Sequence, residues 1–496
     1  MSPGVARVFK VAGRALILLL FLSGSLLPAS ITLPAIFSDH MVLQQGVTLP
    51  VWGKADPGEA VFVRVSGESG MTTADATGTW RVVLRPLPRS SDPTTLVVQG
   101  KNRMTIHDVL LGDVWMCAGE ENMEFPLSDA VGGKNDPAQT ADQELRFFIS
   151  EKQVGDKPQF GGSGSWVVCN SDTATNFSAV GYFFARDLRS VAHLPIGIIQ
   201  CTWADTPVQS WISHHGLEER PSFLPTHDAG SGIQEQNVSA VFNAMIHPLV
   251  PYAITGTIWY HGESQEGIAS REYRRLFPRL IRDWRKAWGQ GPFPFLFVQL
   301  PGFGDGEGPV VESLSGENGR PRQGWPWIRE GAACALALPN TGMAVTTDLG
   351  LADELQPPDK LDVGRRLALL ARKRVYGENL VDSGPSFRSM RIEGEKIRVE
   401  WNSVGSGLTV ASSPFQSGDS PVITGTVLKG FAIAGNDHKW FPATAAIEGA
   451  SVILSSDAVP HPEAIRYNWS GYPQGNLYNK EGLPAAPFRS DGYQPE

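Results

Sequence analysis

The feature that most constrains this chain is a set of apolar runs between about residues 106 and 380, interleaved with segments of helical periodicity. Val109 to Cys117, Leu194 to Cys201, Thr255 to Tyr260, Phe293 to Leu300 and Gly342 to Thr347 are predominantly apolar rather than alternating. Continuous runs of that length belong to strands buried on both faces, the condition of a parallel sheet. The stretches Phe177 to Ala192, Arg271 to Trp288, Trp325 to Ala337 and Val363 to Tyr376 supply the helices that cover it. The expected class is therefore α/β, a parallel sheet with helices on both faces. In such a sheet the ligand site lies beyond the carboxyl ends of the strands.

The flanks read differently. Residues 31–105 carry short extended runs, such as Val61 to Val65 and Trp80 to Leu84. Turn residues at Asp56-Pro57-Gly58 and Ser90-Ser91-Asp92-Pro93 cut them, as in a small β-sandwich-like domain. From 384 to 496 the β pattern returns, with Met390 to Trp401, Leu408 to Ala411 and Ala446 to Leu454 each expected as a strand. The tail from Trp469 to Phe488 is rich in Gly, Pro, Asn and Tyr, and is expected to wrap across a neighbouring domain.

Residues 1–30 resemble an export leader. Arg7, Lys10 and Arg14 precede an apolar stretch, Ala15 to Leu22, and small residues end at Ala29-Ser30. That stretch is too short to span a bilayer, so the expectation is a cleaved signal peptide, a secreted or periplasmic protein, and no membrane attachment after cleavage. The formal net charge is −9, and about −12 once the three basic leader residues are gone. An acidic chain of this kind is not a general nucleic-acid binder, because that role needs a basic face. Cys117, Cys169, Cys201 and Cys334 match no zinc or Cys-x-x-Cys spacing, and are expected as buried thiols with at most one bridge. No Walker A or His-Glu-x-x-His pattern occurs. The Gly302 to Gly308 run lacks dinucleotide spacing and is read as a flexible loop over the cleft. No cofactor or metal is assigned.

Four strand-end loops carry the polar residues. They run from Gly112 to Glu124, from Cys201 to Pro207, from Trp259 to Glu266, and from Thr346 to Pro358. In a parallel sheet they converge on one cleft.

At these residues the sequence resembles the sialate O-acetylesterases, within the SGNH hydrolase superfamily, whose core is a flavodoxin-like parallel sheet. The resemblance covers nearly the whole chain after residue 30. It is carried by Ile31 to Gln44, by Phe242-Asn243-Ala244-Met245-Ile246-His247-Pro248-Leu249, by Ile258-Trp259-Tyr260, by Val363 to Leu369, and by Gly475 to Pro484. It implies hydrolysis of acetyl esters on sialic acid or other sugars. The family's first loop is Gly-Gln-Ser-Asn-Met, whose serine attacks the acetyl carbonyl. An Asp-x-His or Asp-x-x-His block after the last strand supplies the base. A glycine of Trp-Gly-Gly-Thr and the asparagine of Gly-Glu-Ser-Asn help hold the oxyanion.

This chain departs from each of those positions. Glu121 stands at the serine, Gln356 at the histidine and Glu354 at its aspartate. Asp205 replaces the glycine and Gln265 the asparagine. A carboxamide cannot accept a proton near neutral pH, so Ser/His-type catalysis is expected to be lost. Asn122, Asp205, Glu263, Gln265, His261 and Trp259 are expected as binding residues around Glu121, Glu354 and Gln356. The pair His214 and His215 is read as a surface feature. The partner implied is an O-acetylated glycan, and an acidic cleft favours a neutral sugar over anionic sialic acid. Two reworked chemistries remain as alternatives. Glu121 is the residue on which a carboxylate-dependent hydrolase would turn, and clustered carboxylates also suit a hard cation.

Overall fold

In the computed structural model, residues 31–133, 142–218, 234–265, 269–304, 324–411 and 427–493 are described. The export-leader reading, Glu266, and all but the start of the Gly302 to Gly308 run lie outside them.

One 17-residue strand, β1 (Arg103–Gly119), organises the molecule. Its first half pairs with Ser90–Gln99 antiparallel and with Val42–Gln44 in parallel. Its second half is the centre of a sheet built with β2 (Asp142–Ser150), β3 (Gly164–Cys169), β4 (Ile196–Thr202), β5 (Gly256–Tyr260), β6 (Phe295–Gln299) and β7 (Thr341–Val345). The strand order is β7-β6-β5-β1-β4-β2-β3. All neighbours in it are parallel except β2 and β3. The five apolar runs are thus strands β1, β4, β5, β6 and β7. The sheet is mixed rather than wholly parallel, because the edge strand β3 turns back on β2.

Four helices cover the sheet: α1 (Ala179–Ala192), α2 (Ala269–Trp288), α3 (Trp325–Cys334) and α4 (Lys360–Arg374). Ser178 caps α1 by accepting the Gly181 N–H, and Asp359 caps α4 by accepting the Asp362 N–H. The helices pack in pairs, and glycine lets each pair close. A Cβ at Gly364 of α4 would lie 2.6 Å from Phe183 of α1, and one at Gly331 of α3 would lie 2.8 Å from the Arg274 backbone of α2. No helix among the described residues is long and apolar enough to cross a membrane.

The C-terminal region has its own core around Ile397, Val399, Ile433, Val452, Leu454 and Ile465. Two stretches expected as single strands are hairpins. Ser386–Glu393 pairs with Lys396–Asn402, and Thr444–Glu448 with Ser451–Ser455. Gly394 (φ 64°) and Gly449 (φ 66°) begin the two-residue turns. From here the tail returns to the central sheet. Leu477–Asn479 pairs with Leu408–Val410, and the Tyr478 hydroxyl donates to Asp348 just beyond β7 (3.0 Å). The buried Arg329 guanidinium donates to the carbonyls of Leu300, Pro301, Ser470 and Gly471. All four cysteines are free thiols; three are buried, and Cys334 is exposed against expectation.

Candidate functional site

The cleft opens where β4, β1 and β5 end in register, with Gly119 beside Thr202 on one side and Tyr260 on the other. Chain direction changes sharply there. Gly119 sits at φ 147°, and a Cβ would come within 1.9 Å of the Tyr260 carbonyl oxygen. Only glycine lets the strand turn into the short helix Glu121–Glu124 this close to its neighbour.

Glu121 opens that helix, half-buried. Its carboxyl is pushed up to about 8, first by burial, then by Glu263 and by Asp205, to which it is hydrogen-bonded. Asp205 is exposed on the loop after β4, at φ 58°. That left-handed backbone suits glycine, and aspartate is among the few other residues that adopt it readily. The neighbouring Ala204 N–H donates to Glu124 (3.1 Å), whereas the Asp205 N–H donates to no backbone or side-chain group among the described residues.

Below Glu121 the loops are tied together. Asn122 is fully buried; its Nδ2 donates to Glu263 Oε1 (2.5 Å) and to the Leu355 carbonyl (3.0 Å). Its Oδ1 accepts from the buried Lys360 ammonium (2.7 Å), which also bonds the Pro357 carbonyl. Asn122 therefore joins the loops after β1, β5 and β7, and brings the segment bearing Glu354 and Gln356 to the cleft. Glu354 is exposed and Gln356 half-buried. Gln265 is buried, its N–H on the Gly262 carbonyl (3.1 Å) and its Oε1 without a partner among the described residues.

Two expected binding residues face the core instead. His261 is buried, and its Nε2 donates to the Thr206 carbonyl (2.8 Å). Burial holds it down at about 4, so it is neutral. Trp259 stacks on it (4.9 Å between ring centres) and packs edge-on to Trp211 and Trp284. Neither ring offers a face to a ligand. Asp348, expected near the acidic cleft, is spent on a bidentate pair with Arg366 (2.7 Å each) and on Tyr478. His214 and His215 are exposed and share Glu218, away from the cleft loops.

Lys360 is the residue the sequence reading missed. A signal existed: a cation in the first turn of a helix runs against the helix dipole, which marks the position as unusual. Among the described residues, no group of three or more metal-ligating side chains comes together.

The arrangement matches known proteins. A sequence profile for carbohydrate esterases, sialic acid-specific acetylesterase, matches residues 113–368. Human sialate O-acetylesterase is 30% identical over 505 residues, 91% of each chain, and the mouse enzyme 28% identical over 91% of this chain and 92% of its own. The crystal structure of a carbohydrate acetylesterase from Xanthomonas citri superposes with a TM-score of 0.82 at 38% identity, covering 94% of this chain and all of that one.

Proposed function

The chain belongs to the sialic acid-specific acetylesterase family of carbohydrate esterases, and from that membership we propose that it is exported and binds O-acetylated carbohydrate in the cleft above β1, β4 and β5 without hydrolysing it by a serine mechanism. One observation carries this reading. The nucleophile position holds Glu121, whose carboxyl is hydrogen-bonded to Asp205 and keeps its proton up to about pH 8. The base position, one residue beyond the Leu355 carbonyl that Asn122 holds, is the carboxamide of Gln356. Losing a complete nucleophile–base unit costs about 10⁶ in rate. A carboxyl attack on an ester would moreover yield only a reactive anhydride.

Recognition has support of its own. Asp205 stands at the sequence position of the family's oxyanion glycine, and its N–H, which donates to no group among the described residues, is left for an acetyl carbonyl. Glu121 and Asp205 put carboxyl groups at the strand ends, and Glu354 lies on the segment that Asn122 ties to them, while Lys152 is already paired with Glu124 (2.5 Å). A neutral acetylated sugar suits this field better than an anionic sialic acid.

A second reading rests on the same carboxyl. A group poised near 8 is suited to activate a water, which would make the protein a carboxylate-dependent carbohydrate hydrolase. The two separate in one set of assays on the purified protein, with p-nitrophenyl acetate and acetylated sugars, with and without Ca²⁺ or Mg²⁺. The expected outcome is calorimetric binding of an O-acetylated glucose, no turnover above buffer, no fluorophosphonate labelling, and no rescue by Glu121→Ser alone. Turnover that Glu121→Gln abolishes establishes the second reading instead. Absence of binding overturns the first.

A further inference from the structure

Away from the cleft the acidic balance of the chain reverses. α2 carries seven basic residues and two acidic ones, in a chain of net charge −9. Because β5 and β6 are parallel neighbours, α2 runs back from the cleft end of the sheet to the opposite end. Along its outer side lies a groove of about 570 Å³, lined by Arg274, Arg275, Arg279, Arg282 and Lys286 and by Cys334 at the end of α3. Arg275, Arg279, Arg282 and Lys286 follow one another at intervals of 4, 3 and 4 residues. They therefore stand on one face of the helix, over a length of about 16 Å. Like charges so spaced weaken a helix, so the row does not stabilise α2 itself.

The acids alongside leave most of this charge standing. Glu272 pairs with Arg275 (3.3 Å). Asp283 is buried and accepts the N–H and the hydroxyl of Ser213 (2.7 Å each), and Glu218 is shared by His214 and His215. Lys286 donates to the His215 ring, which as an acceptor is uncharged (2.8 Å). Arg274 and Arg282 are exposed and form no hydrogen bond or ion pair among the described residues. Guanidinium groups in a concave site select planar anions, which they hold through two parallel hydrogen bonds. Among the described residues, no exposed large apolar side chain lines the groove to enter a bilayer, and no Phe, Tyr or Trp lines it for a base to stack on.

We infer that the α2 groove is a second binding site, for a polysaccharide that bears carboxylate groups along its chain. Successive helical turns, about 5.4 Å apart, present cations repeatedly to a polymer lying along α2. The acidic cleft repels such charged stretches and takes neutral acetylated units. The groove holds the charged stretches, which raises the local concentration of those units at the cleft. That the occupant is a carbohydrate rests on the function proposed above, whereas the charge it carries follows from the groove alone.

The test uses the full chain and de-esterified polygalacturonate, which carries carboxylates and no acetyl groups. Cys334 is the exposed thiol of the four, the other three being buried, so it reports on the groove. Polygalacturonate at low salt should slow the modification of Cys334 by N-ethylmaleimide, a neutral reagent, and about 1 M NaCl should restore the rate. Arg274→Gln, Arg275→Gln and Arg282→Gln combined replace exposed side chains, so the wild-type Tm should hold. That variant should bind polygalacturonate about tenfold more weakly by calorimetry, with its affinity for an acetylated glucose unchanged. Unslowed modification of Cys334, undiminished binding by the triple variant, or equal binding of a neutral dextran overturns the inference. So does tighter binding of anionic phospholipid vesicles or of single-stranded DNA, which would give the groove to a membrane or a nucleic acid. The two sites fail separately. An acetylated glucose that does not bind removes the reading of the cleft and leaves the groove, whereas unbound polygalacturonate with bound acetylated glucose removes the groove alone.

Discussion

At the floor of the cleft Asn122, Glu263 and Lys360 are each more than nine-tenths buried and bonded across three loops. At the mouth Glu121, Asp205, Glu354 and Gln356 are half-buried or exposed, and the bond between Glu121 and Asp205 is the link among them that stands out. The difference follows from solvation. A buried polar group left without a partner costs a few kcal/mol, so a change at the floor must bring its partner with it. A side chain at the mouth can turn to water. Glu121, Asp205, Glu354 and Gln356, on which the proposed function turns, therefore sit where a change of side chain costs the fold little.

The contrast breaks most visibly at Lys360. Lys360→Met removes the donor that holds the Asn122 side-chain oxygen and the Pro357 carbonyl, and leaves both acceptors buried without it. Denaturant unfolding should register a loss of about 1–3 kcal/mol. A loss no greater than that of a surface lysine would mean the floor is not the rigid part. Asp205→Gly tests the mouth. It relieves the left-handed backbone and removes a carboxylate from beside Glu121, so stability should rise by up to about 1 kcal/mol in the same measurement. It should also let the Glu121 carboxyl ionise at lower pH, read by NMR titration. The smallest effect is expected at Glu121 itself. The group is protonated below about 8, so Glu121→Gln is a close mimic there. Calorimetric affinity for an acetylated sugar should change by no more than about threefold below pH 7, roughly 0.6 kcal/mol, and diverge from the wild type above pH 8, where the wild-type carboxyl ionises. Divergence already at pH 6 would place an ionised Glu121 at the mouth.

Much of the central fold was legible. The five apolar runs became five strands because burial on both faces demands continuous hydrophobicity. β2 and β3 escaped notice. β3 lies at the sheet edge with only Trp166 and Cys169 of its six residues buried, and carries no such run. The two C-terminal hairpins were read through because Gly394 and Gly449 each sit inside a run whose extended pattern continues on either side. At the site, the loops were legible and the directions of their side chains were not. A residue at a strand end changes face with each step along the chain, which is how His261 and Trp259 came to lie under the cleft. Lys360 stands 238 residues from the asparagine it holds, a separation no local pattern spans.

The sequence alone determined that a sheet would bring four loops together, because hydrophobic period is a property of the chain. The tertiary structure decided which carboxyls face water and which, like Glu120 and Glu263, are buried below it. Those outcomes depend on desolvation and on the donors each oxygen finds, and both exist only once β4, β1 and β5 end side by side.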